Sequence, residues 1–229
     1  MMLDGAIRIT EMLMGFAFAQ QSLEHIYIRH DTRSLYVPRL LLSVLLIAGF
    51  QPAWMLAALL LLSLLILQRF QGPYNGGSDR MGLLMLCCLC MTHWLGSERW
   101  REIAFGYLAL QVMLSYFIAG WVKAVNPEWR SGRALRDVFE FSAYPVSESL
   151  RLLAAAPRLL MTMSWAVILF ELLMPFSLLT RVSLVVALGI AASFHLANAC
   201  LFGLNRFFWI WLAAYPSLLW FQQRVFAHS

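Results

Sequence analysis

Residues 160–203 read LMTMSWAVILFELLMPFSLLTRVSLVVALGIAASFHLANACLFG. Only Glu171 and Arg181 carry a full charge at neutral pH in that stretch. A helix crosses the hydrocarbon core of a bilayer with about 20 mainly apolar residues. The stretch holds two such runs, 160–179 and 181–203, meeting at Thr180. It predicts two adjacent membrane helices.

The rest of the chain follows the same pattern. It has 229 residues, 61% hydrophobic and only 13% charged. A soluble domain carries about 25% charged residues. A soluble fold cannot place that much apolar surface inside, so the excess is expected to face lipid. Further apolar runs lie at about 7–27, 35–50, 53–69, 81–96, 103–122 and 205–222. The fold class expected is all-α, a bundle of about eight transmembrane helices forming a single domain over 1–229. No separate soluble domain is expected. The first run carries Glu11, Gln20 and Gln21 and no small-residue cleavage site follows it. It is read as a membrane helix with a polar face turned inward, not as a signal peptide.

The net charge of +5 would raise nucleic acid as a partner in a soluble protein. Here the basic residues cluster between the spans, so no nucleic-acid partner is expected and the charge reads as topology. With eight spans, 12 of the 17 basic residues fall on one face. By the positive-inside rule that face is cytoplasmic and both termini lie outside. Of the four cysteines, Cys87, Cys88 and Cys90 sit in one apolar run. No second Cys/His pair accompanies them, so they read as packing residues and no metal site is expected.

The connection 123–159 is long enough to hold structure of its own. Asn126-Pro127 marks a turn. Ser131 is expected to cap a short helix through Phe141, and Ser147 another through Ala155. Both would be amphipathic helices in the interface plane.

Polar groups at membrane depth are costly and persist where they face a cavity or a partner. Lys123, ending the fifth span, is the only lysine in the chain. A desolvated lysine can act as a neutral base, which arginine cannot. It can equally snorkel to the headgroups. His195 and Asn198 share one face of the seventh span, either as a site or as an interhelical hydrogen-bond pair. The loop Tyr74-Asn75-Gly76-Gly77-Ser78-Asp79 is either a capped turn, with Ser78 or Asp79 as cap, or the rim of a cavity, with Asn75 and Asp79 lining it. Glu171 lies mid-span near Pro175. It is expected to be protonated or paired with His195 or Lys123, serving structure or proton relay. Tyr116 and Trp129 flank Lys123 in sequence and complete the candidate cavity.

Three runs carry a family resemblance: YFIAGWVKAVNPEWRSG at 116–132, FELLMPFSLL at 170–179 and FHLANACLFGLNRFFWIWLAAYPSL at 194–218. In this order they resemble the membrane part of vitamin K-dependent gamma-carboxylase and its bacterial relatives, the HTTM (horizontally transferred transmembrane) domain proteins. The resemblance implies a multi-pass protein of a bacterial inner membrane. It implies quinone chemistry in the membrane plane, with Lys123 as the base that deprotonates a reduced quinone and His195 matching a family histidine. Two departures stand beside it. The carboxylase histidine before the fourth span has no counterpart in Asn75-Gly76-Gly77-Ser78. The positive-inside count also puts Lys123 on the cytoplasmic side, whereas the carboxylase site faces the lumen.

Two functions follow. One is a quinone-dependent enzyme acting on a peptide or small lipophilic substrate, with Lys123, His195 and Glu171 catalytic. The other is a non-catalytic membrane subunit that assists maturation or export of a secreted peptide and docks a small protein partner through 128–158. A transporter would need a continuous polar path, and the far half of the spans is almost wholly apolar.

Overall fold

A computed structural model describes residues 1–28, 33–69, 77–141 and 151–226. Its regular elements among those residues are all helical: α1 (Leu3–Ile28), α2 (Arg33–Ala48), α3 (Pro52–Arg69), α4 (Gly77–Trp94), α5 (Glu98–Val125), α6 (Pro127–Arg130), α7 (Arg133–Phe141), α8 (Pro157–Leu173), α9 (Arg181–Phe202) and α10 (Asn205–Val225). Two 3-10 turns, Leu152–Ala155 and Met174–Leu179, precede and extend α8.

Eight helices of 16 residues or more fall on the eight apolar runs. Three of them are long and apolar enough to cross a membrane: α5, α8 with its extension to Leu179, and α9. α3 is apolar but shorter. The others are short or bear charge: α2 has 16 residues, α1 carries Asp4, Arg8, Glu11 and Glu24, and α4 opens on Asp79-Arg80. α8 and α9 present Leu169, Leu173, Phe176, Val182, Val186 and Ile190 at the surface, apolar side chains suited to lipid.

The chain divides into two units. The first comprises Met1–Leu110 and Asn205–Ser229, the second Gln111–Leu204. In the first, α1 packs along α2 and α10, and α3 packs between α2 and α4. The buried residues of α1 recur every three or four positions: Ile7, Thr10, Glu11, Met14, Phe18, Gln21, Ser22 and His25. That spacing draws one stripe down a helix, and its polar members face inward as the sequence predicts. Glu11 is 1% exposed. Its carboxylate accepts from Arg8 at 3.0 Å and lies 2.5 Å from His93 Nε2. Arg8 also donates to the carbonyls of Leu46 and Ile47, at 2.9 and 2.6 Å. The Leu46 carbonyl also accepts from the Gly49 N–H at 3.0 Å, so Arg8 adds a second donor there and reaches the next carbonyl at the end of α2 as well.

In the second unit, α6 and α7 lie on α8, and the Met174–Leu179 turn lies on α9. Thr180 and Ser183 form a reciprocal cap at the start of α9. Two expectations for the 123–159 connection change. Ser131 does not cap α7: it ends α6, and its hydroxyl donates back to the Glu128 carbonyl at 3.1 Å. α7 starts two residues later, after Gly132. Ser147 lies outside the described residues, and the described part of its expected helix is the 3-10 turn at Leu152–Ala155.

Replacing Glu11 by Leu keeps the volume but leaves Arg8 and His93 without their carboxylate. The expected cost is about 1–3 kcal/mol. It is read as a lower melting temperature of purified protein in detergent, with Glu11→Gln intermediate. An unchanged melting temperature in Glu11→Leu would remove this cluster from the stability of the unit.

Candidate functional site

The site builds outward from α5. Tyr116, Gly120 and Lys123 occupy positions i, i+4 and i+7, so they share one face of the helix. Each meets something different in the second unit.

Gly120 provides the close approach. A Cβ there would fall 2.8 Å from the Leu172 backbone nitrogen and 2.9 Å from the Glu171 Cβ. No side chain fits, so only glycine lets α5 come this near to α8. Glu171 is thereby delivered to Lys123. The ammonium donates to both carboxylate oxygens, at 2.9 and 2.6 Å, and reaches the Ala119 carbonyl at 3.4 Å. Their side chains are 17% and 6% exposed. Of the readings open in the sequence, pairing of Glu171 with Lys123 is the one observed. The carboxylate sits two residues before α8 gives way to the Met174–Leu179 turn. Pro175 lacks the N–H that would have bonded the Glu171 carbonyl in a continued α-helix.

One turn or more away, Tyr116 Oη and His195 Nε2 lie 2.8 Å apart, both buried. His195 therefore pairs with Tyr116 on α5 and not with Glu171. The Tyr116 ring packs edge-on to Phe170, and Phe170 in turn lies against Phe194. Asn198, one turn beyond His195, is half-buried.

The segment after Lys123 turns back against α8. Asn126 Oδ1 accepts from the Glu128 N–H at 2.9 Å, and Pro127 fills the first position of α6. This turn places the Trp129 ring under the ammonium of Lys123, 5.3 Å from centroid to Nζ. The Trp129 carbonyl accepts from Ser164 at 2.5 Å, and the Arg130 carbonyl from the Trp165 indole at 3.1 Å. Gly132 has φ +78°, a left-handed value, and a Cβ on it would strike the Met161 backbone at 2.7 Å.

Five of the eight sequence candidates are thus gathered into two bonded pairs and a ring: Lys123 with Glu171, Tyr116 with His195, and Trp129. Asp79 belongs to the other unit, where it lies inside the first turn of α4 and lines a separate cavity with Ser78. Neither acts from the cap position the sequence suggests. Asn75 lies outside the described residues. Sequence reasoning missed Arg39, counted with the loop charges but buried within α2. Its only signal was a position four residues inside an apolar run.

A model of the HTTM domain matches residues 98–223, more than half of the chain. The chain belongs to the HTTM family. The matched segment spans every residue of the Lys123 site, and it begins at the first residue of α5. No curated protein matches the chain, and no solved structure does.

A double-mutant cycle on the pair separates charge from packing. Glu171→Leu leaves the part-buried Lys123 without its counter-charge, for an expected loss of up to about 3 kcal/mol. Adding Lys123→Met should recover most of it. The cycle is read by denaturation in mixed micelles, and additive losses would mean that the pair does not hold α5 to α8.

Proposed function

We propose that this HTTM-domain protein crosses a bacterial inner membrane about eight times and that its Lys123 centre handles protons for quinone-dependent chemistry on a peptide or small lipophilic substrate. The observation that carries the reading is the Lys123–Glu171 pair: the sole lysine held by both oxygens of a buried carboxylate. The resemblance of its surrounding motif to the gamma-carboxylase supports it further.

The chemistry runs through the pair as a unit. A lysine ammonium cannot accept a proton. Glu171 can take that proton across the 2.6 Å hydrogen bond. The amine then has a lone pair for an acidic hydroxyl, and the protonated carboxyl stays beside it. Trp129 faces the cation and favours its charged form at the end of the transfer. Tyr116 Oη and His195 Nε2, 2.8 Å apart two turns back along α5, would offer a second pair able to pass a proton. The donor set suits a quinone. The rings of Phe170, Phe194 and Trp129 offer aromatic faces, and the hydroxyl, imidazole and amine are of the kinds that hydrogen-bond two carbonyl oxygens. A reduced quinone would supply the acidic hydroxyl and two electrons, the electrons passing to molecular oxygen as the added oxidant.

A second reading, a non-catalytic subunit beside a small secreted-peptide partner, draws on α7. That helix buries Phe139 against Phe202 and turns Arg133, Arg136, Asp137 and Glu140 outward. Such a surface suits a charged partner.

Quinone binding to purified protein in nanodiscs, wild type against Lys123→Met, decides between them. The enzyme reading expects menaquinone or ubiquinone to bind the wild type, and the substitution to slow oxidation of the reduced form by about 10²-fold or more. Binding by neither protein ends that reading. The subunit reading then expects Arg133→Glu with Arg136→Glu to abolish association with the peptide partner while the fold survives.

A further inference from the structure

The first unit holds a polar centre that the Lys123 site does not use. A cavity of about 250 Å³ lies where the C-terminal ends of α1 and α3 meet the N-terminal ends of α2, α4 and α10. One part of its wall is apolar, with Phe18, Ile66, Leu67 and Ile210. Another part is basic, with Arg39, Arg80 and Arg206, and Asp79 is the one carboxylate among its described lining residues.

Arg39 is the informative residue. It is 5% exposed, and its Nε has no hydrogen-bond partner. Its charge rests on ring faces instead: the guanidinium carbon is 4.1 Å from the Phe18 ring centre and 5.9 Å from that of Tyr36. It makes no ion pair among the described residues. A buried guanidinium without an anion is unfavourable. Its planar fork of donors matches a phosphate or carboxylate face. Arg206 is held beside it by His25, whose Nε2 lies 2.5 Å from an Arg206 nitrogen, with Glu24 at 4.0 Å. His25 itself stacks flat on Tyr36, ring centres 4.0 Å apart. In the first turn of α4, Arg80 is exposed and Ser78 is buried. The result is a fixed basic wall, an unsatisfied buried donor, and an apolar wall leading away from both.

We propose that this cavity binds a phosphate-type oxyanion carried by an amphiphile, with the oxyanion on Arg39 and Arg206 and the apolar chain along Phe18, Ile66, Leu67 and Ile210. Three guanidinium groups meet two carboxylates among the described residues, Asp79 on the wall and Glu24 at 4.0 Å from Arg206, which leaves one positive charge in excess that a zwitterionic headgroup meets less well than an anionic one. The same donors would accept free phosphate, so the experiment has an arm for each source.

The full chain is purified and placed in phosphatidylcholine nanodiscs doped with phosphatidylglycerol, and retained lipid is measured by native mass spectrometry. In parallel, the melting temperature in neutral detergent is followed as inorganic phosphate is added. The variants are Arg39→Gln, Arg80→Gln and, as a charge-matched control at another helix end, Arg99→Gln. The wild type is expected to retain phosphatidylglycerol in preference to phosphatidylcholine. The preference falls about tenfold in Arg39→Gln, severalfold in Arg80→Gln, and stays unchanged in Arg99→Gln. If phosphatidylglycerol shows no preference but inorganic phosphate raises the melting temperature of the wild type and not of Arg39→Gln or Arg80→Gln, the oxyanion is soluble and the site stands. If neither probe acts on the wild type, or both act equally on the wild type and Arg80→Gln, the proposal is overturned. Arg80 is exposed, so its variant decides the matter even where Arg39→Gln does not fold.

Discussion

A charge set among apolar helices has to find its counter-charge within the protein, because a hydrocarbon surrounding offers neither water nor ions. Each unit holds a buried charge answered in this way, with Arg39 of the first unit as the exception. In the first, Glu11 is answered by Arg8 and His93 from different helices. In the second, Lys123 is answered by Glu171. The Glu11–His93 and Lys123–Glu171 pairings each join two helices of one unit, so the polar contact also fixes which helix faces meet. Non-polar packing alone would leave those faces free to slide, since lipid tails are as apolar as leucine.

The sequence around Lys123 is a compact set of mechanical instructions. Gly120 removes the side chain that would hold α5 away from α8. Asn126 and Pro127 start a new helix within three residues of the old one. Trp129 then turns back onto the cation, and Gly132 presses against the Met161 backbone. The three motifs that identify the family lie far apart in the chain, at 116–132, 170–179 and 194–218. Those at 116–132 and 170–179 meet in the lysine–carboxylate pair, and the start of the third meets the first in the tyrosine–histidine pair.

Much of this could be read from the chain alone, and the limits have physical causes. Eight helices fall on eight apolar runs because helix length and hydrophobicity are local properties. Which of those helices also meet the length and apolarity of a membrane crossing is less plain in sequence. α1, α4 and α10 mix apolar residues with charges, and some of their pairings, such as Arg101–Asp4 and Arg224–Glu102, exist only in three dimensions. Lys123, Glu171, Tyr116 and His195 were nominated by type and depth; Lys123 was one of two partners offered for Glu171, and the Tyr116–His195 pair was not foreseen. A spacing of 48 or 79 residues says nothing about contact. Ser131 misled because a serine at a helix boundary serves the end of one helix as readily as the start of the next. Arg39 was hidden among loop arginines because burial, not residue type, sets it apart.

The tight pairing of Lys123 with Glu171 has an electrical consequence. A lone charge inside a bilayer feels the membrane potential, about 2.3 kcal/mol per 100 mV for a full crossing. A cation and an anion 2.6 Å apart carry no net charge and span only a small part of the field. Transfer of a proton between them therefore moves almost no charge across the membrane. The pair would hold the same state in an energised cell and in a de-energised one, and would take its cue from chemistry instead of voltage.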